Sequence, residues 1–197
     1  MVEISKKSKK ALEIIFRDFS SSYNAHNIHR KIGTTHQGAD FILKSLEEKG
    51  ILTSKRLGRA IFYNINYKNE YVAKLLELIL MEYEVSSYTK GWINDLTPLK
   101  NSKAAILILY GSLLRKENKA NDVDLCVILY SKKDYNDIQD KIDKINKINS
   151  QKIHPLYLTR EEFKSKITDK VILEIIKEGI ILKGFNEFVE GVIDVAS

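Results

Sequence analysis

Two runs set the fold: Ala104-Ala105-Ile106-Leu107-Ile108-Leu109-Tyr110-Gly111-Ser112 and, after nine intervening residues, Asp122-Val123-Asp124-Leu125-Cys126-Val127-Ile128-Leu129-Tyr130. Each is apolar at nearly every position over the length of a strand, which predicts two buried strands. Gly111-Ser112 closes the first run, Leu113, Leu114 and Arg115 open a helix, and Asp122 and Asp124 head the second run. Alternate residues of a strand share a face, so the two carboxylates point the same way, about 7 Å apart, while Val123 turns into the core. A glycine lets a phosphate approach the backbone closely, and a helix N-terminus presents free N–H groups to an anion. The Ser112 hydroxyl adds a donor at the same point. Paired carboxylates suit Mg²⁺, which takes oxygen ligands and substrate phosphates, and such sites assist in-line attack on a nucleotide α-phosphate.

Taken together, Gly111-Ser112, the nine-residue spacer and Asp122-Val123-Asp124 are similar to the signature of polymerase β-like nucleotidyltransferases. Within that group the chain looks most like the minimal nucleotidyltransferases of archaea and bacteria. The resemblance extends to Lys170-Val171-Ile172-Leu173-Glu174-Ile175-Ile176-Lys177-Glu178-Gly179-Ile180-Ile181-Leu182-Lys183-Gly184 and covers about residues 100–190. It implies Asp122 and Asp124 as catalytic carboxylates and Mg²⁺ ligands, with Gly111 and Ser112 holding a nucleoside triphosphate, ATP first among them. Arg115 would neutralise phosphate charge. The acceptor implied is a protein hydroxyl, including the tyrosine of a partner toxin, with small molecules and nucleic acid left open.

Two departures bear on turnover. Active members of the family place a third carboxylate on the next strand. Here that strand is Lys152-Ile153-His154-Pro155-Leu156-Tyr157-Leu158, which holds no Asp or Glu. His154 is its nearest polar candidate, able to accept a proton but a poor ligand for Mg²⁺. Glu161 and Glu162 follow at an expected solvated helix start. Lys116 stands where the family has glycine.

The first third reads differently. Ala11, Ile14, Ile15 and Phe16 mark a first helix over 7–18, Ala25 to Ile32 a second stopped by Gly33, and Thr34-Thr35 cap a third that ends before Gly50. On that third helix Ala39, Ile42, Leu43 and Leu46 form the buried face. Ile51-Leu52-Thr53-Ser54 and Ala60-Ile61-Phe62-Tyr63-Asn64-Ile65 are β-prone and flank Lys55-Arg56-Leu57-Gly58-Arg59. Two helices meeting at a tight turn, then a hairpin tipped with cations, resemble the winged helix-turn-helix of archaeal and bacterial regulators, the arsenical-repressor-like type above all. That resemblance covers residues 7–66 and implies double-stranded DNA as partner, touched by Thr35, His36, Gln37 and Lys44 of the helix and by Lys55, Arg56 and Arg59 of the wing. Asp40 and Phe41 on the same helix face are poor base readers. Dimerisation or protein docking is the other use of such a module.

The remaining expectations concern organisation. The fold class is α+β, a winged helix-turn-helix followed by a small mixed sheet with helices on one side. The boundaries are 1–68 for the winged helix, 69–100 for a linking helix and linker, and 101–197 for the nucleotidyltransferase-like domain. Tyr71 to Leu80 carries more apolar positions than one stripe needs, which raises a homodimer through this helix. Trp92 is expected as a packing anchor, and Cys126 as a small buried hydrophobe.

The net charge is +6, and residues 1–66 hold all of it, with 12 Lys/Arg against 6 Asp/Glu. Such asymmetry favours a polyanion-facing module joined to a neutral one, although a lysine-rich solvated surface fits the charge equally well. One cysteine excludes an internal disulfide framework. The absence of an apolar signal core behind Lys6, Lys7, Lys9 and Lys10, and of any membrane-length apolar run, gives a cytoplasmic expectation with no membrane partner. No nucleophilic triad, glycine-rich dinucleotide loop or P-loop is present. His26 and His29 lie one helical turn apart without a cysteine or carboxylate beside them, and a surface role is expected. Function therefore divides two ways: Mg²⁺-dependent nucleotidyl transfer coupled to DNA binding, or a DNA-binding transcriptional regulator whose second domain is catalytically silent and senses nucleotide or mediates assembly.

Overall fold

The computed structural model describes residues 4–196. The chain divides into two compact units, with the boundary between Ile79 and Leu80 and the second unit spanning Leu80–Val195.

Among the described residues the first unit holds four helices, the last of them reaching the boundary, and a hairpin. Helix α1 (Lys6–Arg17) is capped by Ser5, whose hydroxyl accepts from Ser8 N at 3.2 Å. It buries Ala11, Leu12, Ile15 and Phe16, so Leu12 takes the place expected for Ile14. Spacings of one, four and five residues give a tighter stripe on a 3.6-residue period than the expected set. Asp18 accepts from Ser21 Oγ at 2.9 Å and from Tyr23 OH at 2.6 Å, which turns the chain out of the helix. Helix α2 is only Ala25–Ile28, shorter than expected, and the chain turns through Gly33 at φ +67° into α3 (His36–Glu48). Thr35 caps α3 by accepting from Gly38 N at 3.1 Å. Strands β1 (Leu52–Leu57) and β2 (Ala60–Ile65) pair antiparallel, with Leu57 opposite Ala60 across Gly58-Arg59. Gly58 at φ +61° supplies the left-handed conformation that a two-residue hairpin turn requires. Helix α4 (Glu70–Met81) follows, burying Val72, Leu75, Leu76 and Ile79 while Leu78 is 61% exposed.

The second unit is built on a four-stranded mixed sheet. Helices α5 (Ser87–Asp95) and α6 (Thr97–Lys100) precede β3 (Ala104–Tyr110), α7 (Ser112–Lys116) and β4 (Asp122–Leu129). Then come α8 (Tyr135–Ile148), β5 (Lys152–Thr159), α9 (Arg160–Ser165), α10 (Lys170–Glu178), β6 (Ile180–Lys183) and α11 (Phe185–Ala196). The order across the sheet is β5-β4-β3-β6; β3 runs antiparallel to both neighbours, while β4 and β5 are parallel and joined through α8. This is the small mixed sheet expected.

Two features differ from the sequence reading. The later part of residues 69–100, expected as linking helix and linker, contains α5 and α6, whose Trp92, Ile93, Leu96 and Leu99 belong to the sheet's own core with Leu107, Leu109, Val123, Leu125, Val127, Ile138 and Ile142. Trp92 is the packing anchor expected; the flanking Ile93, Leu96 and Leu99 are too widely spaced among polar residues to announce the core they join. The sheet is also covered on both faces, since Ile106, Ile108, Cys126 and Ile128, on the face opposite that core, are equally buried. The cause lies in the strands themselves: runs that are apolar at every position rather than alternating need cover on both sides.

No described helix is long and apolar enough to cross a membrane. Cys126 is wholly buried, and that burial pushes its thiol up to about 12. It should therefore resist thiol-labelling reagents in the native protein and react in full only on denaturation; labelling of the folded chain at the rate of a free thiol would contradict this packing.

Candidate active site

Register brings the candidate residues together. Tyr110, the last residue of β3, pairs with Asp124 of β4, so the turn that follows β3 lands beside the head of β4. Gly111 in that turn has φ +81° and ψ −149°, a region open in practice to glycine alone. A Cβ there would also collide with the Asp124 carboxylate. Ser112 N donates to Asp124 Oδ2 at 3.4 Å, a long hydrogen bond. The Ser112 hydroxyl is shielded from solvent and has no partner, and an unsatisfied buried hydroxyl costs about 1–3 kcal/mol. A backbone N–H and a hydroxyl of Ser112 thus stand at a glycine turn, the N–H on the Asp124 carboxylate and the hydroxyl without a partner.

The environment of the carboxylates is half-buried. Val123 between them is fully buried, while Asp122 and Asp124 are partly exposed on the other face, as alternation requires. Burial first, and then the charge of Asp124, push the Tyr110 phenol up to about 12. Tyr110 was not among the expected site residues; its place in the register is what puts it there.

Parallel pairing sets His154 of β5 opposite Asp124, and His154 Nδ1 lies 3.9 Å from Asp122 Oδ2. The position where a third carboxylate is expected thus holds an exposed imidazole. Glu162 is committed elsewhere, accepting from Thr159 N at 2.8 Å in a capping box at the start of α9. Among the described residues, no group of three or more His, Cys, Asp and Glu side chains converges as a metal site. The two aspartates fit an ion that brings its remaining oxygen ligands on a triphosphate, and they do not form a closed protein cage.

Arg115 reaches Glu178 of α10, with Nη1 2.5 Å from Oε2, and both side chains are largely exposed. Helix α7 has five residues, so its dipole is small and the local N–H groups of the turn matter more. Just beyond Lys116, where the family has glycine, Glu117 adopts φ +51°; among the described residues it is the one non-glycine at positive φ.

Gln151 is a positioning residue that the sequence did not signal. Its amide oxygen accepts from Tyr88 OH at 2.7 Å and Trp92 Nε1 at 3.0 Å, and its nitrogen donates to the Ala120 carbonyl. One side chain therefore ties α5 and the entry to β5 to the chain two residues ahead of Asp122.

Residues 99–182 match the nucleotidyltransferase domain family. The match spans all four strands up to Leu182 and includes Gly111, Ser112, Asp122, Asp124 and His154. No curated protein and no solved structure matched the chain.

In the first unit the residues expected to meet DNA occupy α3 and the hairpin. His36 and Gln37 are exposed in the first turn of α3, where the Thr35 hydroxyl is engaged as cap. Lys44 pairs with Asp40 at 2.7 Å, and Phe41 is 75% exposed. Lys55, Arg56 and Arg59 are exposed around the hairpin tip.

The turn after β3 depends on Gly111 for both backbone and space. Gly111→Ala should destabilise by about 1–3 kcal/mol. In an Asp124→Ala background the colliding carboxylate is gone, so the same substitution should cost measurably less, a coupling read from denaturant unfolding of the four chains. Equal costs in both backgrounds would show that Asp124 does not close on the turn.

Proposed function

We propose that the chain is a Mg²⁺-dependent nucleotidyltransferase that moves a nucleotidyl group from a nucleoside triphosphate, ATP first, to an acceptor hydroxyl, with a winged helix in its first 68 residues that binds double-stranded DNA. The observation that carries the chemistry is the convergence of Asp124 on the Gly111-Ser112 turn. Gly111 and Ser112 would hold the triphosphate, the unpartnered Ser112 hydroxyl gaining a phosphate oxygen as acceptor. Asp122 and Asp124 would hold the metal, which when bound neutralises the phosphates and polarises the α-phosphorus. The acceptor oxygen forms its bond to that phosphorus as the bond to pyrophosphate breaks. His154, beside Asp122, is the group on β5 able to take the acceptor's proton. Arg115 would serve the phosphates by exchanging Glu178 for them. A protein hydroxyl is the acceptor class that the resemblance to minimal nucleotidyltransferases favours.

One observation favours a second reading. His154 in place of a third carboxylate suits a domain that binds nucleotide without turnover, attached to a transcriptional regulator. In either case the surplus of positive charge lies in residues 1–66, where Lys55, Arg56 and Arg59 are free of the Asp40 pairing that holds Lys44.

Incubating the protein with each α-labelled nucleoside triphosphate, Mg²⁺ and a lysate of its source should label an acceptor, and Asp122→Ala/Asp124→Ala should abolish the label. Nucleotide binding without transfer would establish the silent reading, and no binding at all would overturn both. DNA binding has its own measure. Duplex affinity should fall steeply with salt, and replacing Lys55, Arg56 and Arg59 by Ala should flatten the slope by about one for each lost phosphate contact. An unchanged slope would remove the hairpin from the DNA interface.

A further inference from the structure

A cavity of about 340 Å³ opens at the other end of β4 from the aspartate pair. It is lined by Leu129, the last residue of β4, together with Lys132, Tyr135, Asn136, Tyr157 and Glu162. Asp122 opens the strand that Leu129 closes, which puts the two ends about 23 Å apart. Neither aspartate lines the cavity, so it is a place separate from the candidate active site. β4 and β5 run parallel, and the crevice beyond the carboxyl ends of parallel strands is where such sheets hold ligands. The volume is that of a site for a small molecule.

The lining has an aromatic part and a charged part. Tyr135 and Tyr157 form a corner, with ring centroids 4.6 Å apart and planes tilted by 59°. Tyr157 OH is already committed, donating to Gln139 Oε1 at 2.9 Å, so this ring offers its apolar body. The charged part is a pair of opposite signs that do not meet. Lys132, ahead of α8, and Glu162, on α9, face the same cavity, and no ion pair joins them. The Thr159 N–H first, and then the charges of Lys132 and Lys166, hold the Glu162 carboxyl below its usual range, so it is an anion at neutral pH. Only Oε2 of that carboxylate is spent on the Thr159 N–H. Asn136 adds an amide able both to donate and to accept.

We propose that this cavity binds a free aromatic amino acid, its ring against Tyr135 and Tyr157, its carboxylate on Lys132 and its ammonium on Glu162. A zwitterion meets both charges, whereas an anion alone would be set against Glu162 and a cation alone against Lys132. Tyrosine rings receive a third ring in offset or tilted packing, and the corner of Tyr135 and Tyr157 presents both a face and an edge. The bound ligand would tie Lys132, α8 and α9 together across the ends of β4 and β5. It would leave the Gly111-Ser112 turn untouched, so the site stands independently of the nucleotide chemistry proposed above.

The full-length protein should be titrated calorimetrically with L-phenylalanine and with L-tryptophan. Phenylacetate, phenethylamine and L-leucine, which lack in turn the ammonium, the carboxylate and the ring, should be run in parallel. The expected result is saturable binding of one aromatic amino acid per chain, with each of the three analogues weaker by about fivefold or more. Lys132→Ala and Glu162→Gln should each weaken binding by a similar factor, and glutamine keeps the capping oxygen at the start of α9. Asp122→Ala/Asp124→Ala should bind as the wild type does. Tyrosine ring resonances of the wild-type protein, followed by NMR during the titration, give the same answer without a variant: Tyr135 and Tyr157 should shift and Tyr110 should not. Absence of saturable binding, phenylacetate or phenethylamine binding as tightly as the amino acids, or binding that survives Lys132→Ala/Glu162→Gln would each overturn the site.

Discussion

The antiparallel register of β3 and β4 is the constraint on which the candidate site depends. Pairing Tyr110 with Asp124 fixes, in one step, where the Gly111-Ser112 turn lies and which carboxylate it meets. A slip of one residue would turn Asp122 and Asp124 toward the core and bring Val123 to the surface. The register is held because both strands are buried on both faces, so every apolar side chain from Ala104 to Leu109 and from Leu125 to Leu129 opposes a slip. The chemistry-bearing residues sit at the ends of these strands, where burial relaxes enough for carboxylates to stay solvated.

That arrangement carries local costs. Gly111 lies in a conformation reserved for glycine, Glu117 lies at positive φ without being glycine, and the Ser112 hydroxyl has no partner. Each is unfavourable in isolation and is sustained by neighbours that over-determine the backbone. Gln151 is the clearest of these, since its amide joins Tyr88, Trp92 and Ala120 around the approach to β4. At the Gly111-Ser112 turn, glycine-only backbone and an unpartnered hydroxyl coincide.

The two units differ in kind. The second is electrically balanced and spends its apolar residues on a two-sided sheet. The first has a smaller core of Leu12, Phe16, Ile28, Leu43, Leu46 and Tyr63 and displays cations and three histidines on its surface. Asp40 draws Lys44 into an ion pair on α3, and Phe41 stands beside it in solvent, so that helix is chemically less suited to reading bases than the hairpin is to meeting phosphates.

The sequence by itself determined the strands, the glycine-serine turn, the aspartate pair and the lack of an acid on β5, because each is a local pattern of polarity or a short spacing. It also carried, unread, the two-sided burial of the sheet, since runs such as Ile106 to Leu109 never alternate. Only the tertiary structure decided the rest. Which face of α1 is buried, the recruitment of α5 and α6 into the core, the place of Tyr110 beside Asp124 and the cavity beyond Leu129 all arise from pairing or turn geometry. Gln151, 31 residues from the carbonyl it holds, shows the physical reason: a contact between residues distant in the chain leaves no periodicity for a sequence to display.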